Sequence, residues 1–238
     1  MQSRQIYRTG AVVLIAAVAL IFAYEALRLI ALNGGDPTTE AGNPLFVPTF
    51  LISLVGTTLF VVSFPITYAR QAVEAGKIGL IGLGCYIASG LLFGYAVAAI
   101  NAIIVPFLYG DPSTRAILTT GHPPGFVPLI IIGMVLFTVG NLCYGIGTLR
   151  GRVYPRAFAI SLIAAAALEV GGFVTQAANL NLPAWTDLIT DAASFGPIAG
   201  MAVWLLRKSR SSDHKVEGAQ RGSALVGPDE NLVYSAER

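Results

Sequence analysis

Long apolar stretches separated by short polar segments recur six times along the chain, at 11–32, 47–69, 79–108, 126–149, 157–178 and 184–206. Each is long enough to cross a hydrocarbon core of about 30 Å as a helix rising about 1.5 Å per residue. Lipid offers backbone groups no water, so a spanning segment must bond to itself, and the pattern predicts helices. The predicted fold is all-α, a polytopic transmembrane helical bundle of six spans over residues 1–210. The remaining residues, 211–238, are rich in Ser, Gly and charge, which predicts a disordered cytoplasmic tail.

Composition narrows the class further. Hydrophobic residues make up 55% of the 238 and charged residues 12%, too few to coat a soluble domain of this length. The basic residues then set the threading. Arg4, Arg8, Arg70, Lys77, Arg150, Arg152, Arg156, Arg207, Lys208 and Arg210 fall before the first span, in alternate connections and after the last span. The other three connections hold Asp36, Glu40, Asp111, Asp187 and Asp191 against the single cation Arg115. The positive-inside bias therefore predicts both termini in the cytoplasm and the acidic loops outside, in a plasma membrane. Glu25 and Arg28 inside the first stretch, and its length, mark a retained span and not a cleaved signal.

Two of the basic connections also carry a resemblance. The segment Tyr68-Ala69-Arg70-Gln71-Ala72 and the later Leu149-Arg150-Gly151-Arg152-Val153-Tyr154-Pro155-Arg156-Ala157 resemble a group of uncharacterised bacterial multi-pass membrane proteins. In that group YARQA-like and LRxGVxPRxA-like segments mark two internal loops. The likeness covers residues 46–165 and implies six spans in a bacterial inner membrane, with no activity or cofactor to carry over. Arg152 departs from the pattern, standing where a small or apolar residue is common. Topology explains the same residues independently. Arg70 and Arg150 complement helix C-terminal dipoles, and Pro155 suits the first turn of a helix. Together with Arg152, Arg156, Arg207, Lys208 and Arg210 they are expected to face anionic lipid headgroups of the bilayer, not nucleic acid.

Polar groups inside the spans are the candidate chemistry. Glu25 and Arg28 are three apart on one helix face, which predicts a local ion pair. Glu169 lies near the midplane, where an ionised side chain costs about 2.5 to 3.5 kcal/mol, and shares its face with Gly172 and Gln176, predicting contact with another helix. The alternative reading is a neutral Glu169 hydrogen-bonded to a neighbouring span. Asp187 and Asp191 share a face at the start of the sixth span, where carboxylates suit a helix N-terminus, and Thr190 and Ser194 extend that strip. Asn101 continues a face of Gly90, Gly94 and Ala98 and is expected to bond between helices. Because Glu25, Asn101, Glu169, Gln176, Asp187 and Asp191 share the outer half of the bilayer, they are expected to converge on an outward-open acidic cavity. Such a cavity suits a proton, a metal cation or a cationic organic ligand.

Weaker signals read as structural. Gly90 with Gly94, and Gly196 with Gly200, have packing spacings, and Pro65, Pro106 and Pro197 are candidate kinks, Pro197 beside Gly196 being the best hinge. An echo at a shift of about 80 residues lays Phe46-Val47-Pro48 on Phe126-Val127-Pro128 and Arg70 on Arg150, as a helix-pair repeat or as common interface chemistry. His122 and His214 are expected on opposite sides of the membrane, and Cys85 and Cys143 form no CxxC pair. Gly145, Gly147 and Gly151 have the wrong spacing for a dinucleotide fingerprint. The sequence thus offers no catalytic motif and no cofactor site. It favours a small transporter or a ligand- or cation-binding membrane protein, with a non-catalytic accessory or sensor subunit as the alternative.

Overall fold

A computed structural model describes residues 3–32, 37–119, 125–177, 183 and 185–225. Its helices are α1 (Ser3–Ala31), α2 (Pro37–Glu40), α3 (Phe46–Ser63), α4 (Pro65–Ala69) and α5 (Ala72–Ser89), then α6 (Ala96–Ala99), α7 (Val105–Gly110), α8 (Pro112–Thr119), α9 (Phe126–Gly151), α10 (Arg156–Ala177) and α11 (Trp185–Leu225). Two π-helical stretches, Gly90–Tyr95 and Ile100–Ile104, join α5, α6 and α7 into one rod. No strand occurs among the described residues.

Six segments are long and apolar enough to cross a membrane: Gln5–Ala31, Phe46–Ala69, Ala72–Gly110, Val127–Gly151, Arg156–Thr175 and Trp185–Lys208. They match the expected spans, with the largest difference at the start of the third. There the helical turn from Ala72 precedes Gly76, whose φ of 59° and ψ of −157° break the helix. Only glycine takes that backbone cheaply, so the crossing proper begins after it. Pro65 divides the second span into α3 and α4, and Pro106 follows the second π stretch. Proline removes a backbone donor and crowds the carbonyl four residues back, so the widened turn ahead of Pro106 has a local cause.

The spans form a ring in chain order. Each packs on its sequence neighbours, and α11 returns to pack on α1, closing the circle. Ile30, Val62 and Phe107 stand exposed on the outer wall, as a lipid-facing surface requires. We call the end carrying Arg8, Arg70, Arg150 and Arg207 the basic end, and the end carrying Glu40, Asp111 and Asp187 the acidic end.

The basic half of the ring is filled. Leu14, Phe64, Tyr86, Tyr144, Leu162 and Met201 meet there in one buried cluster. Glycines let α5 and α9 approach closely beside it: a Cβ on Gly147 would stand 2.6 Å from Gly79 Cα. Several polar groups inside this half are paired across helices, while the buried Gln71 Oε1 has no hydrogen-bond partner among the described residues. Thr67 Oγ1 and the Tyr144 hydroxyl are 2.7 Å apart, the Tyr154 hydroxyl donates to the Thr67 carbonyl at 2.9 Å, and Gln71 Nε2 donates to Thr148 Oγ1 at 3.0 Å. Burial pushes the Tyr154 phenol well above its ordinary range, so it remains a donor. The second of the two basic connections is therefore latched through Tyr154 to Thr67 at the basic end of the second span.

Beyond the sixth span, α11 continues as helix to Leu225, where the sequence predicted a disordered tail from Ser211. A helix already nucleated by a span extends at little cost, and no proline intervenes before Leu225. The tail's last stretch, 226–238, lies outside the described residues.

Candidate functional site

The acidic half of the ring is hollow, with a cavity of about 860 Å³ among the spans. Its emptiness follows from side-chain size. The second span presents Ser53 and Thr57 to it, the third Gly90, Gly94 and Ala98, and the fifth Gly171 and Gly172. A Cβ on Gly171 or Gly172 would meet nothing within 4 Å. Gly90 and Gly94 also serve packing: Cβ atoms there would approach the methyls of Val61 and Thr57 at 2.9 and 2.8 Å, which holds α3 close to the π-helical turn.

Four carboxylates line this cavity from three helices: Glu25 on α1, Glu169 on α10, and Asp187 and Asp191 on α11. Arg28 is the one cation among the lining residues. It is already engaged, since its Nε lies 3.0 Å from Glu25 Oε2 and its Nη2 lies 3.0 Å from Asp187 Oδ2. Exposure falls inward along this triad, from 62% at Asp187 through 26% at Arg28 to 13% at Glu25. Glu169 and Asp191 have no ion pair or hydrogen bond among the described residues. Both are partly buried on the cavity wall without a counter-charge of their own, the arrangement that a bound cation would relieve.

Below the acids lies an aromatic floor. Phe60, Tyr86, Phe137 and Phe195, from four different spans, all line the cavity. Their rings touch in a closed cycle, with centroid separations of 6.2 Å for Phe60 and Tyr86, 5.4 Å for Tyr86 and Phe137, 5.6 Å for Phe137 and Phe195, and 5.3 Å for Phe195 and Phe60. The Tyr86 hydroxyl donates to Asn141 Oδ1, and Asn141 Nδ2 donates to Ser194 Oγ at 3.2 Å. These buried bonds fix the floor to α9 and α11. By helix rise, Glu25 and Asp191 lie about 9 Å from the acidic end of their spans and Phe195 about 15 Å, near mid-membrane.

The structure brings five of the seven sequence-nominated residues together: Glu25, Arg28, Glu169, Asp187 and Asp191 line one cavity. The expected Glu25 and Arg28 pair forms, and Asp187 joins it. Asn101 does not take part. It is buried, and its Nδ2 bonds the Val97 carbonyl of its own helix at 2.9 Å instead of reaching another span. The π-helical turn that holds Asn101 shifts the helical phase, so it leaves the face of Gly90, Gly94 and Ala98. Gln176 belongs to α10, and its side chain lies outside the described residues. The face of Glu169 and Gly172 meets the cavity, not a packed helix as expected, because glycine there leaves open space.

Sequence reading missed the aromatic floor, as well as Asn141. Isolated Phe and Tyr in apolar runs give no signal of convergence, whereas Asn141 within the fourth span was a legible intramembrane polar residue. Among the described residues, no three of His, Cys, Asp and Glu group closely enough to hold a metal ion. Cys85 and Cys143 are free thiols. No protein-family model, no curated protein and no solved structure matches this chain.

Proposed function

We propose that this protein is a small transporter or ligand-binding membrane protein that takes a cation into the intramembrane cavity. We place the basic end in the cytoplasm by the positive-inside bias, which turns the cavity mouth outward, and the loop resemblance favours a bacterial plasma membrane. The observation that carries the reading is the state of Glu169 and Asp191. Both face a cavity of ligand size, both lack a partner among the described residues, and the neighbouring Arg28 is held by two other carboxylates. In a site of low dielectric, unpartnered carboxylates attract a cation strongly and repel an anion. The dispersed acids argue for a molecular cation over a metal ion, which needs donors converging on one point.

The test is a thermal-shift screen of organic ammonium compounds and inorganic cations on the full-length protein in detergent, repeated on Glu169→Gln and Asp191→Asn. Stabilisation by a cation that both variants lose supports the reading. Equal responses from wild type and variants, all monodisperse, favour the accessory or sensor alternative.

A further inference from the structure

The cavity's two halves differ in chemistry, and that difference specifies more than charge. We propose that its ligand is a hydrophobic organic cation, a quaternary or tertiary onium or an aromatic cation, with its charge beside Glu169 and Asp191 and its apolar body on the aromatic floor, against the half-buried Phe137 and Phe195. This inference rests on the reading of the cavity as a cation site and narrows it.

Volume is the first argument. About 860 Å³ falls within the range of about 300 to 1,000 Å³ common for small-molecule pockets and far exceeds what a bare ion fills. The floor supplies the second. Three of its four rings have no polar atom, and the hydroxyl of the fourth, Tyr86, is committed to Asn141. A ligand group resting there meets chiefly the half-buried rings of Phe137 and Phe195, Phe60 and Tyr86 being almost wholly buried, with the hydroxyls of Ser53 and Thr57 the polar groups that the second span adds to the wall. A polyamine or sugar would leave most of its donors and acceptors unpaired against those rings, which is costly, whereas aryl or alkyl groups lose nothing. An onium group, moreover, is attracted to aromatic faces, most of all where water is excluded.

The third argument is the engagement of Arg28. A zwitterion or an anion needs a free cation for its negative group, but Arg28 already contacts both Glu25 and Asp187 at 3.0 Å. Releasing it would leave those two carboxylates unpaired among like charges. Charge balance and floor chemistry thus select the same class: positive at one end and apolar through the rest. Trp185, exposed at the mouth, adds a ring on the entry path that suits the same ligand.

The experiment measures binding of radiolabelled tetraphenylphosphonium to the purified full-length protein in lipid nanodiscs. Competitors are spermidine, Mg²⁺ and the neutral triphenylphosphine oxide, and the variants are Phe137→Leu and Glu169→Gln/Asp191→Asn, each checked for monodispersity. Saturable binding is expected, about tenfold weaker in Phe137→Leu and lost in the double variant, with the neutral analogue and spermidine competing only at concentrations at least about a hundredfold higher. If spermidine or Mg²⁺ binds as well as the phosphonium and Phe137→Leu is silent, the hydrophobic class is overturned while the cation site stands. If no cation binds saturably, both readings fall. Binding that survives in every variant is partition into lipid and overturns the proposal.

Discussion

The Ser161 hydroxyl donates to the Ala193 carbonyl at 3.0 Å, crossing from α10 to α11. Ala193 lies four residues before Pro197, which has no N–H to give it, so Ser161 replaces the donor that the helix lacks. Pro197 therefore stays inside a continuous helix whose free carbonyl is satisfied sideways. Replacing Ser161 by Ala should lower unfolding stability by about 1 kcal/mol, the scale of an interhelical bond in a membrane protein. In a Pro197→Ala background the restored N–H should take the carbonyl, and the cost of Ser161→Ala should shrink toward zero. A double-mutant cycle on denaturant unfolding in detergent measures this.

Close approach of α5 and α9 makes a steric prediction. A Cβ on Gly147 meets Gly79 Cα at 2.6 Å, backbone that cannot yield without moving a helix, whereas a Cβ on Gly84 meets nothing within 4 Å. Gly147→Ala should cost about 1 to 3 kcal/mol by overpacking, and Gly84→Ala should be neutral or slightly stabilising. Thermal midpoints of the two variants, read by loss of monodispersity, distinguish them.

Arg152 makes a backbone prediction. It ends α9 in the left-handed region at φ 51°, with its N–H bonded to the Thr148 carbonyl at 3.3 Å. Glycine is the usual residue at such a helix end, and β-branched residues are disfavoured there. Arg152→Gly should hold or raise stability, and Arg152→Val should lower it by about 1 to 2 kcal/mol. The departure from the loop pattern noted in the sequence thus sits at a position whose backbone favours glycine.

How far the sequence could lead is visible in Glu169 and Phe137. Span number and boundaries were legible because a lipid solvent acts on every residue, and each apolar run reports it directly. Glu169, Asp187 and Asp191 were legible because a carboxyl within or at the start of a span is costly enough to need a reason. Phe137 was not, since an aromatic residue in an apolar span fits lipid, core and cavity floor equally well. What separates those outcomes is the rotation of each helix about its axis, and α9 is apolar on nearly all sides. Asn101 failed for a related reason: its phase depended on π-helical turns that residue spacing does not announce.

Asp111 offers a pH-dependent marker outside the spans. Its Oδ1 accepts bonds from Ser113 Oγ and the Ser113 N–H, both at 2.8 Å, and these hold its carboxyl below the ordinary aspartate range. A group with a depressed folded-state pKa stabilises the fold above its unfolded pKa and loses that contribution as pH falls through the folded one. The start of α8 should therefore be ordered at neutral pH and loosen only as pH drops below the ordinary aspartate range. The Ser113 amide chemical shift, followed by NMR in acid, should move with Asp111 and stay fixed in Asp111→Asn.

Arg28 separates structural from ligand-related electrostatics because its removal should move two observables in opposite directions. It bridges Glu25 and Asp187 at 3.0 Å each, so Arg28→Gln leaves two carboxylates without their counter-ion and should lower stability by about 1 to 3 kcal/mol, less than for a fully buried pair because Asp187 is 62% exposed. The same substitution makes the cavity more negative. Affinity for an organic cation should rise severalfold, and more so at low salt, where screening is weakest. Adding Glu25→Gln should recover most of the stability and return the affinity toward wild type, since the local charge is then restored. Chemical denaturation and cation binding measured on the same three proteins decide it. If affinity and stability fall together in Arg28→Gln, the guanidinium contacts the ligand or shapes its site, and the cationic reading of the cavity fails.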